Sequence, residues 1–317
     1  MQPMKRRAVI VILAMACAVS AARLFAGGTD EDFKIHADVR LVLLDVSVTS
    51  HDGGLVAGLT KTDFRVFDNG KPVDLRVFAN DDVPVTVGIL VDESYSMGPK
   101  RKEVLTAALT FIQGSNPRDE VFVLNFNDTV RRGLPHGILF SDNIEQLRAA
   151  LDRGIAEGKT AFNDAVVAGL RQLELGKRDK KTLVLISDGG DNASLTNRQE
   201  MLDLVERSAA TIYTIGLFDE GDKDRNPGIL RRLAKTTGGE AYFPETPAGM
   251  IPVCRDIATS IRTRYTLGYS PPAERTAARH RIRVDVSAAG HGRLTARTRT
   301  GYWNEGTAEN AQGNEGK

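Results

Sequence analysis

The spacing of hydrophobic and polar positions changes texture twice along this chain. From Lys34 to Val48, Val, Leu and Asp alternate in part, and His51-Asp52-Gly53-Gly54 offers a turn before the short apolar Leu55-Val56, which predicts a hairpin. Phe64-Arg65-Val66-Phe67 and Val73 to Phe78 flank Asp68-Asn69-Gly70-Lys71 and predict a second hairpin, with Asn69-Gly70 as its tight turn. Residues 33–80 therefore read as a β segment. From Pro84 the pattern shifts. Val85 to Val91 is an almost unbroken apolar run, as expected of a strand buried on both faces of a parallel sheet. Strands then alternate with helical spacing: helices over 99–113, 144–155, 162–175, 201–209, 229–234 and 250–261, and strands over 121–126, 183–186, 212–217 and 241–243. Such alternation implies right-handed crossovers and a doubly wound, mostly parallel, Rossmann-like α/β sheet over 84–262. After Arg264 the β texture returns at 265–269, 281–286 and 294–302.

Strand sets as short as 33–80 and 264–303 rarely bury a core alone. The expected architecture is one small β-sandwich-like domain built from both ends, with the α/β domain inserted in it; two separate β appendages are the alternative. The stretch 304–317 is polar and Gly-rich and reads as a disordered tail.

Composition narrows the function. The 317 residues are 41 % hydrophobic and carry 42 Lys+Arg against 41 Asp+Glu, a net charge of +1, so nothing suggests a nucleic-acid partner. Lys5, Arg6 and Arg7 precede an uncharged stretch from Ala8 to Ala22, then Arg23 and the small Ala26-Gly27, the layout of an export signal. That stretch is shorter than the roughly 18 to 20 residues that span a bilayer. The expectation is a signal over 1–26, cleaved after Ala26, and a periplasmic or secreted mature chain with no membrane span; an uncleaved anchor is the alternative. Cys17 would leave with the signal, so Cys254 alone remains and no internal disulfide is expected.

Candidate chemistry collects at one rim. The first buried strand ends in Asp92-Glu93-Ser94-Tyr95-Ser96, a later one in Ser187-Asp188-Gly189, and Gly158-Lys159-Thr160 precedes a helix. In open α/β sheets ligands bind beyond the carboxyl ends of the strands. Asp92, Ser94, Ser96, Thr160 and Asp188 are all hard oxygen donors, which select Mg²⁺, Mn²⁺ or Ca²⁺ over zinc or copper. Three of the five are neutral hydroxyls, so a bound divalent ion would stay electrophilic toward a carboxylate from outside.

An Asp-x-Ser-x-Ser after the first buried strand, a Thr in a Gly-x-Thr-Ala loop and an Asp-Gly after a later strand together resemble the metal-ion-dependent adhesion site of von Willebrand factor A domains. The resemblance covers about 84–262 and meets all five positions in chain order. The flanks, including Arg299-Thr300-Gly301-Tyr302-Trp303, are similar to bacterial exported proteins related to that family. The resemblance implies that Ser94, Ser96 and Thr160 bind the ion directly or through water, while Asp92 and Asp188 hold it and its waters. Mg²⁺ is the first expectation. It also implies a non-enzymatic module that captures an Asp or Glu of a partner protein. Glu93 departs from the family's small or neutral residue; it is expected to point away, and would weaken capture of an acidic partner if it faced the ion. Asp164 and Asp191 read as caps or surface carboxylates.

Two enzyme classes lack a residue they need. A phosphotransferase using Asp92 as nucleophile needs a carboxylate two residues on, where Ser94 stands. A serine hydrolase needs a base, but only His136 lies within the α/β stretch and no Gly-x-Ser-x-Gly surrounds Ser94 or Ser96. A structural β-sandwich protein with an inert α/β insert is the remaining alternative.

Overall fold

The computed structural model describes residues 41–218, 224–274 and 276–304. The proposed signal, its cut at Ala26, Cys17, the strand start at Lys34 and residues 305–317 lie outside them.

Parallel pairing begins with β5 (Thr86–Asp92), whose seven residues are all buried. It is flanked by β6 (Glu120–Phe126) and β8 (Lys181–Ile186), both parallel to it. β9 (Thr211–Ile215) and β10 (Ala241–Tyr242) extend one side, and β7 (Val130–Arg132) closes the other, antiparallel to β6. The order is β10-β9-β8-β5-β6-β7. The chain leaves β5 toward β6 and returns past it to β8, so the winding reverses at the carboxyl end of β5, where such sheets bind ligands. Strand β7 had no period-2 signal long enough to predict it.

Helices α1 (Arg101–Gly114), α2 (Ile144–Asp152) and α6 (Met250–Arg262) form one layer; α3 (Phe162–Glu174), α4 (Arg198–Arg207) and α5 (Pro227–Thr237) form the other. Their local signals are ordinary. Asn143, Asn197 and Asn226 accept backbone N–H bonds at the starts of α2, α4 and α5, and Pro227 opens α5 where its missing N–H costs nothing. Cys254 is free and fully buried in this core, which pushes its thiol up to about 12. Among the described residues no helix is long and apolar enough to cross a membrane.

Two antiparallel four-stranded sheets complete the fold, ordered β13-β1-β11-β4 and β14-β12-β2-β3. β1 (Val42–Thr49), β2 (Phe64–Asp68), β3 (Lys71–Val73) and β4 (Val77–Ala79) precede the α/β domain; β11 (Tyr265–Tyr269), β12 (Ala278–Val286), β13 (Thr295–Arg297) and β14 (Gly301–Asn304) follow it. Leu44, Val46, Phe64, Val66, Leu267 and Tyr302 share the core between the two sheets. Asn69 (φ 49°) and Gly70 (φ 80°) make the two-residue turn between β2 and β3.

Several β readings need correction. Val73 to Phe78 is not one strand: β3 pairs with β2, then the chain crosses to the other sheet, where β4 pairs with β11. The crossing brings Phe78 within 5.9 Å of the Phe64 ring and 6.0 Å of the Tyr265 ring, an aromatic cluster that a straight return strand would lose. The stretch 294–302 splits likewise, into β13 on β1 and β14 on β12. Leu55 makes a single bridge to Thr49 rather than a hairpin strand. Asn304, read as the start of the tail, ends β14 and donates to the Pro272 carbonyl at 3.2 Å.

Buried Arg264 ties the sandwich to the α/β domain. It donates to the Tyr213 hydroxyl (3.0 Å), the Gly238 carbonyl (2.7 Å) and the Asp45 carbonyl (3.2 Å).

Candidate metal centre

Asp92 closes β5, and its carboxylate is held from both sides: the Ser94 N–H donates to Oδ1 at 2.9 Å and the Ser187 hydroxyl to Oδ2 at 2.6 Å. Ser94 and Ser96 begin the turn that leads into α1. Their hydroxyls lie 3.2 Å apart, and Ser96 Oγ donates to Asp188 Oδ2 at 2.7 Å. The other Asp188 oxygen accepts the Gly190 N–H at 2.9 Å. Asp92, Ser94, Ser96 and Asp188 thus form one hydrogen-bonded cluster built from two loops far apart in sequence.

Thr160 arrives on a third loop. Its N–H donates to Asn192 Oδ1 at 2.9 Å, and its carbonyl accepts from the Asn192 and Ala193 N–H groups, which binds its loop to the one after Asp188. The Tyr95 N–H donates to the Gly158 carbonyl at 3.2 Å, joining the same loop to the Ser94–Ser96 turn. Among the described residues the Thr160 hydroxyl makes no hydrogen bond to the other four, so its loop, not its side chain, connects it to the cluster. Two glycines make these turns possible. Gly158 (φ +79°) and Gly189 (φ +80°) are left-handed, and a Cβ would collide with the Asp128 carboxylate at the first and the Asn226 carbonyl at the second.

The electrostatics are uncompensated. Asp92 and Asp188 are both buried, and neither has an ion pair among the described residues. Burial, then the neighbouring charge of Asp188, pushes the Asp92 carboxyl up to about 7, against the opposing bonds from Ser187 and Ser94. A divalent cation would remove both penalties, and hard carboxylate and hydroxyl oxygens suit Mg²⁺, Mn²⁺ or Ca²⁺. Among the described residues no group of three or more His, Cys, Asp or Glu could hold a metal ion, so cation binding here depends on the neutral hydroxyls. The residues present fit such an ion: Ser94, Ser96 and Thr160 would offer hydroxyls, and Asp92 and Asp188 carboxylates.

Glu93 faces away. Its Oε2 takes Arg101 Nε at 3.0 Å, and Arg101 Nη2 reaches the Gly154 and Asp152 carbonyls at 2.6 and 3.1 Å. The extra acid of the motif is therefore half of a clamp on the loop that leads to Thr160. Asp164 accepts the Leu195 and Thr196 N–H groups, and Asp191 accepts Asn163 Nδ2 and the Ser194 hydroxyl, so both are loop braces. Ser187 and Asn192 were missed by sequence reasoning. Ser187 sits directly beside the Asp-Gly signal, but nothing in sequence says that its hydroxyl turns back onto Asp92.

A doubly wound α/β domain with hard-oxygen donors at its switch point defines the class. Residues 86–250 match the von Willebrand factor type A domain model, just over half of the chain, and the chain belongs to this family, whose domains are typically protein-interaction modules that bind a divalent cation. An uncharacterised protein of Synechocystis is 24 % identical over 183 residues, 55 % of this chain and 41 % of that protein. The match thus spans less than half of the curated relative. Among solved structures, a von Willebrand factor type A protein from Catenulispora acidiphila is 15 % identical with a TM-score of 0.49, covering 86 % of this chain and 76 % of that one. Proximal thread matrix protein 1 from the mussel byssus, with a zinc-occupied adhesion-site motif, is 16 % identical with a TM-score of 0.47, covering 56 % and 48 %.

Proposed function

We propose that this chain is an exported, non-enzymatic protein-binding module in which a divalent cation, Mg²⁺ first, is held by Asp92, Ser94, Ser96, Thr160 and Asp188 and captures an Asp or Glu carboxylate of a partner protein. The observation that carries this reading is the pair of buried carboxylates with no basic side chain beside them among the described residues, joined to two serine hydroxyls where the sheet's winding reverses. Such a cluster is stable when a cation is supplied from outside, and its neutral donors leave that cation with charge to spend on a ligand. The surroundings suit a protein partner. Leu195, Tyr95 and Ile155, at 97 %, 81 % and 58 % exposed, are the most exposed large apolar side chains among the described residues, and all three stand on the loops that form the cluster.

Calorimetric titration of the full chain with Mg²⁺, Mn²⁺ and Ca²⁺ tests the site. Binding is expected for the wild type, weakened about tenfold in Thr160→Ala and restored in Thr160→Ser, which keeps the hydroxyl. Unchanged affinity in Thr160→Ala removes Thr160 from the ligand set. No binding of any of the three ions by the wild type overturns the reading and leaves an α/β domain inert toward metal.

A further inference from the structure

A cleft of about 490 Å³ opens on the seam between the α/β domain and the sandwich, lined from α5, β10, β12 and the β13 segment. It lies at the carboxyl end of α5 and the start of β10, the opposite end of the sheet from Asp92 and Asp188. Its floor is apolar, from Ala234, Ala241, Ile282, Val284 and Ala296. Its polar lining is unbalanced: Arg231, Lys235, Arg283 and Arg297 against the single carboxylate of Glu240.

Existing pairs account for two of the four cations. Arg297 is bound to Glu240 at 2.7 Å, and Arg283 pairs with Asp285. Arg231 and Lys235 have no carboxylate partner among the described residues. Arg231 is also held in place, over the Phe243 ring at 4.4 Å, so its guanidinium group is positioned rather than free. A further unsatisfied group is close by: the Thr298 hydroxyl is buried and has no hydrogen-bond partner among the described residues. The carboxyl end of α5 opposes an anion, but its partial charge is outweighed by two full positive charges on the same helix.

We infer that this cleft is a second ligand site, separate from the metal cluster, and that it takes a small amphiphilic anion. The apolar body lies on the floor, and a carboxylate or phosphate head group sits at Arg231 and Lys235. The volume is within the range of ligand pockets, and a seam between two domains is where such pockets commonly form. An anion at a positioned guanidinium loses little in ordering its receptor, and the apolar floor favours a ligand with a hydrocarbon body over a bare ion.

The test uses 8-anilinonaphthalene-1-sulfonate as probe with the folded full chain. Saturable binding at one site is expected, unchanged by EDTA and weakened at least tenfold in the double variant Arg231→Glu, Lys235→Glu. Both residues are exposed on α5, and an unchanged melting temperature confirms that the variant folds. The control Lys102→Glu, Arg171→Glu makes the same change in net charge on α1 and α3 and is expected to bind like wild type. Octanoate and octyl phosphate should displace the probe while octanol does not; displacement by one of them identifies the head group. Equal loss of binding in both double variants, no loss in either, or displacement by octanol as readily as by the anions would overturn the inference.

Discussion

The α/β domain and the sandwich each bury carboxylates, and they treat them in opposite ways. In the sandwich, Asp68 accepts the Tyr269 and Tyr302 hydroxyls at 2.9 Å each and faces His280 Nδ1 at 2.5 Å, whose other nitrogen meets Glu274 at 3.0 Å. That cluster satisfies itself. At the rim of the α/β sheet, Asp92 and Asp188 have, among the described residues, only hydroxyl and backbone donors and no basic side chain. A buried acid supplied with donors and a basic ring by its own fold is structural. A buried pair left short of positive charge keeps desolvation and repulsion costs in the native state unless a ligand supplies that charge.

The largest expected effect follows from removing the self-satisfied acid. Asp68→Ala leaves two tyrosine hydroxyls and His280 without their shared acceptor in a closed core, at a cost of about 3 to 5 kcal/mol by urea denaturation. Titration of the metal site should be unaffected. If Asp68→Ala unfolds as the wild type does, the contrast between the two clusters is wrong.

At the rim the sign reverses. In EDTA, Asp188→Asn should be at least as stable as wild type, because it removes one of two repelling charges and keeps an acceptor for Ser96. Mg²⁺ at a hundredfold excess over its dissociation constant should raise wild-type stability by about 2.7 kcal/mol and leave Asp188→Asn unmoved. Thermal melts with and without metal read both outcomes; a variant that loses stability in EDTA would place Asp188 with Asp68 as a structural acid.

The next effect is one of pH. Burial pulls the His280 imidazole down, but hydrogen bonds to Glu274 and Asp68, and their charges, outweigh it and hold the ring above its ordinary 6.5. A raised basic group contributes stability that is fully present below 6.5 and lost as pH rises through the folded value. Urea midpoints in EDTA should therefore fall from pH 6 to pH 9, and His280→Gln should flatten that fall. A steeper fall in the variant would contradict the assignment.

The smallest effect on stability is expected from Leu195→Ser and Tyr95→Ser. Both side chains stand in solvent, so each change should stay within about 0.5 kcal/mol of wild type in a urea melt. A loss well beyond that would mean that the apolar rim supports the loops rather than faces a partner.

Much of the fold was legible because burial on two faces leaves a continuous apolar run, as in Val85 to Val91, and helices announce themselves by period and cap. The sandwich was less so. A period-2 pattern tells which side of a strand is buried but not which neighbour it joins, so Val73–Phe78 and 294–302 each read as one strand where the chain changes sheets. The candidate ligands were legible as types and positions, since Asp92, Ser94 and Ser96 are local to one turn and Asp188 follows an apolar strand.

Sequence alone therefore determined the alternation of strand and helix and the Asn69-Gly70 turn, and offered five candidate hard-oxygen positions, all read from short windows governed by backbone geometry and hydrophobic period. Only the tertiary structure decided that Ser187 turns its hydroxyl onto Asp92, that Asn192 clamps the Thr160 loop, that Glu93 is taken by Arg101, and that Arg231 and Lys235 line the seam with the sandwich. These depend on side-chain direction between elements up to a hundred residues apart, and no local pattern carries that information because packing and charge act through space rather than along the chain.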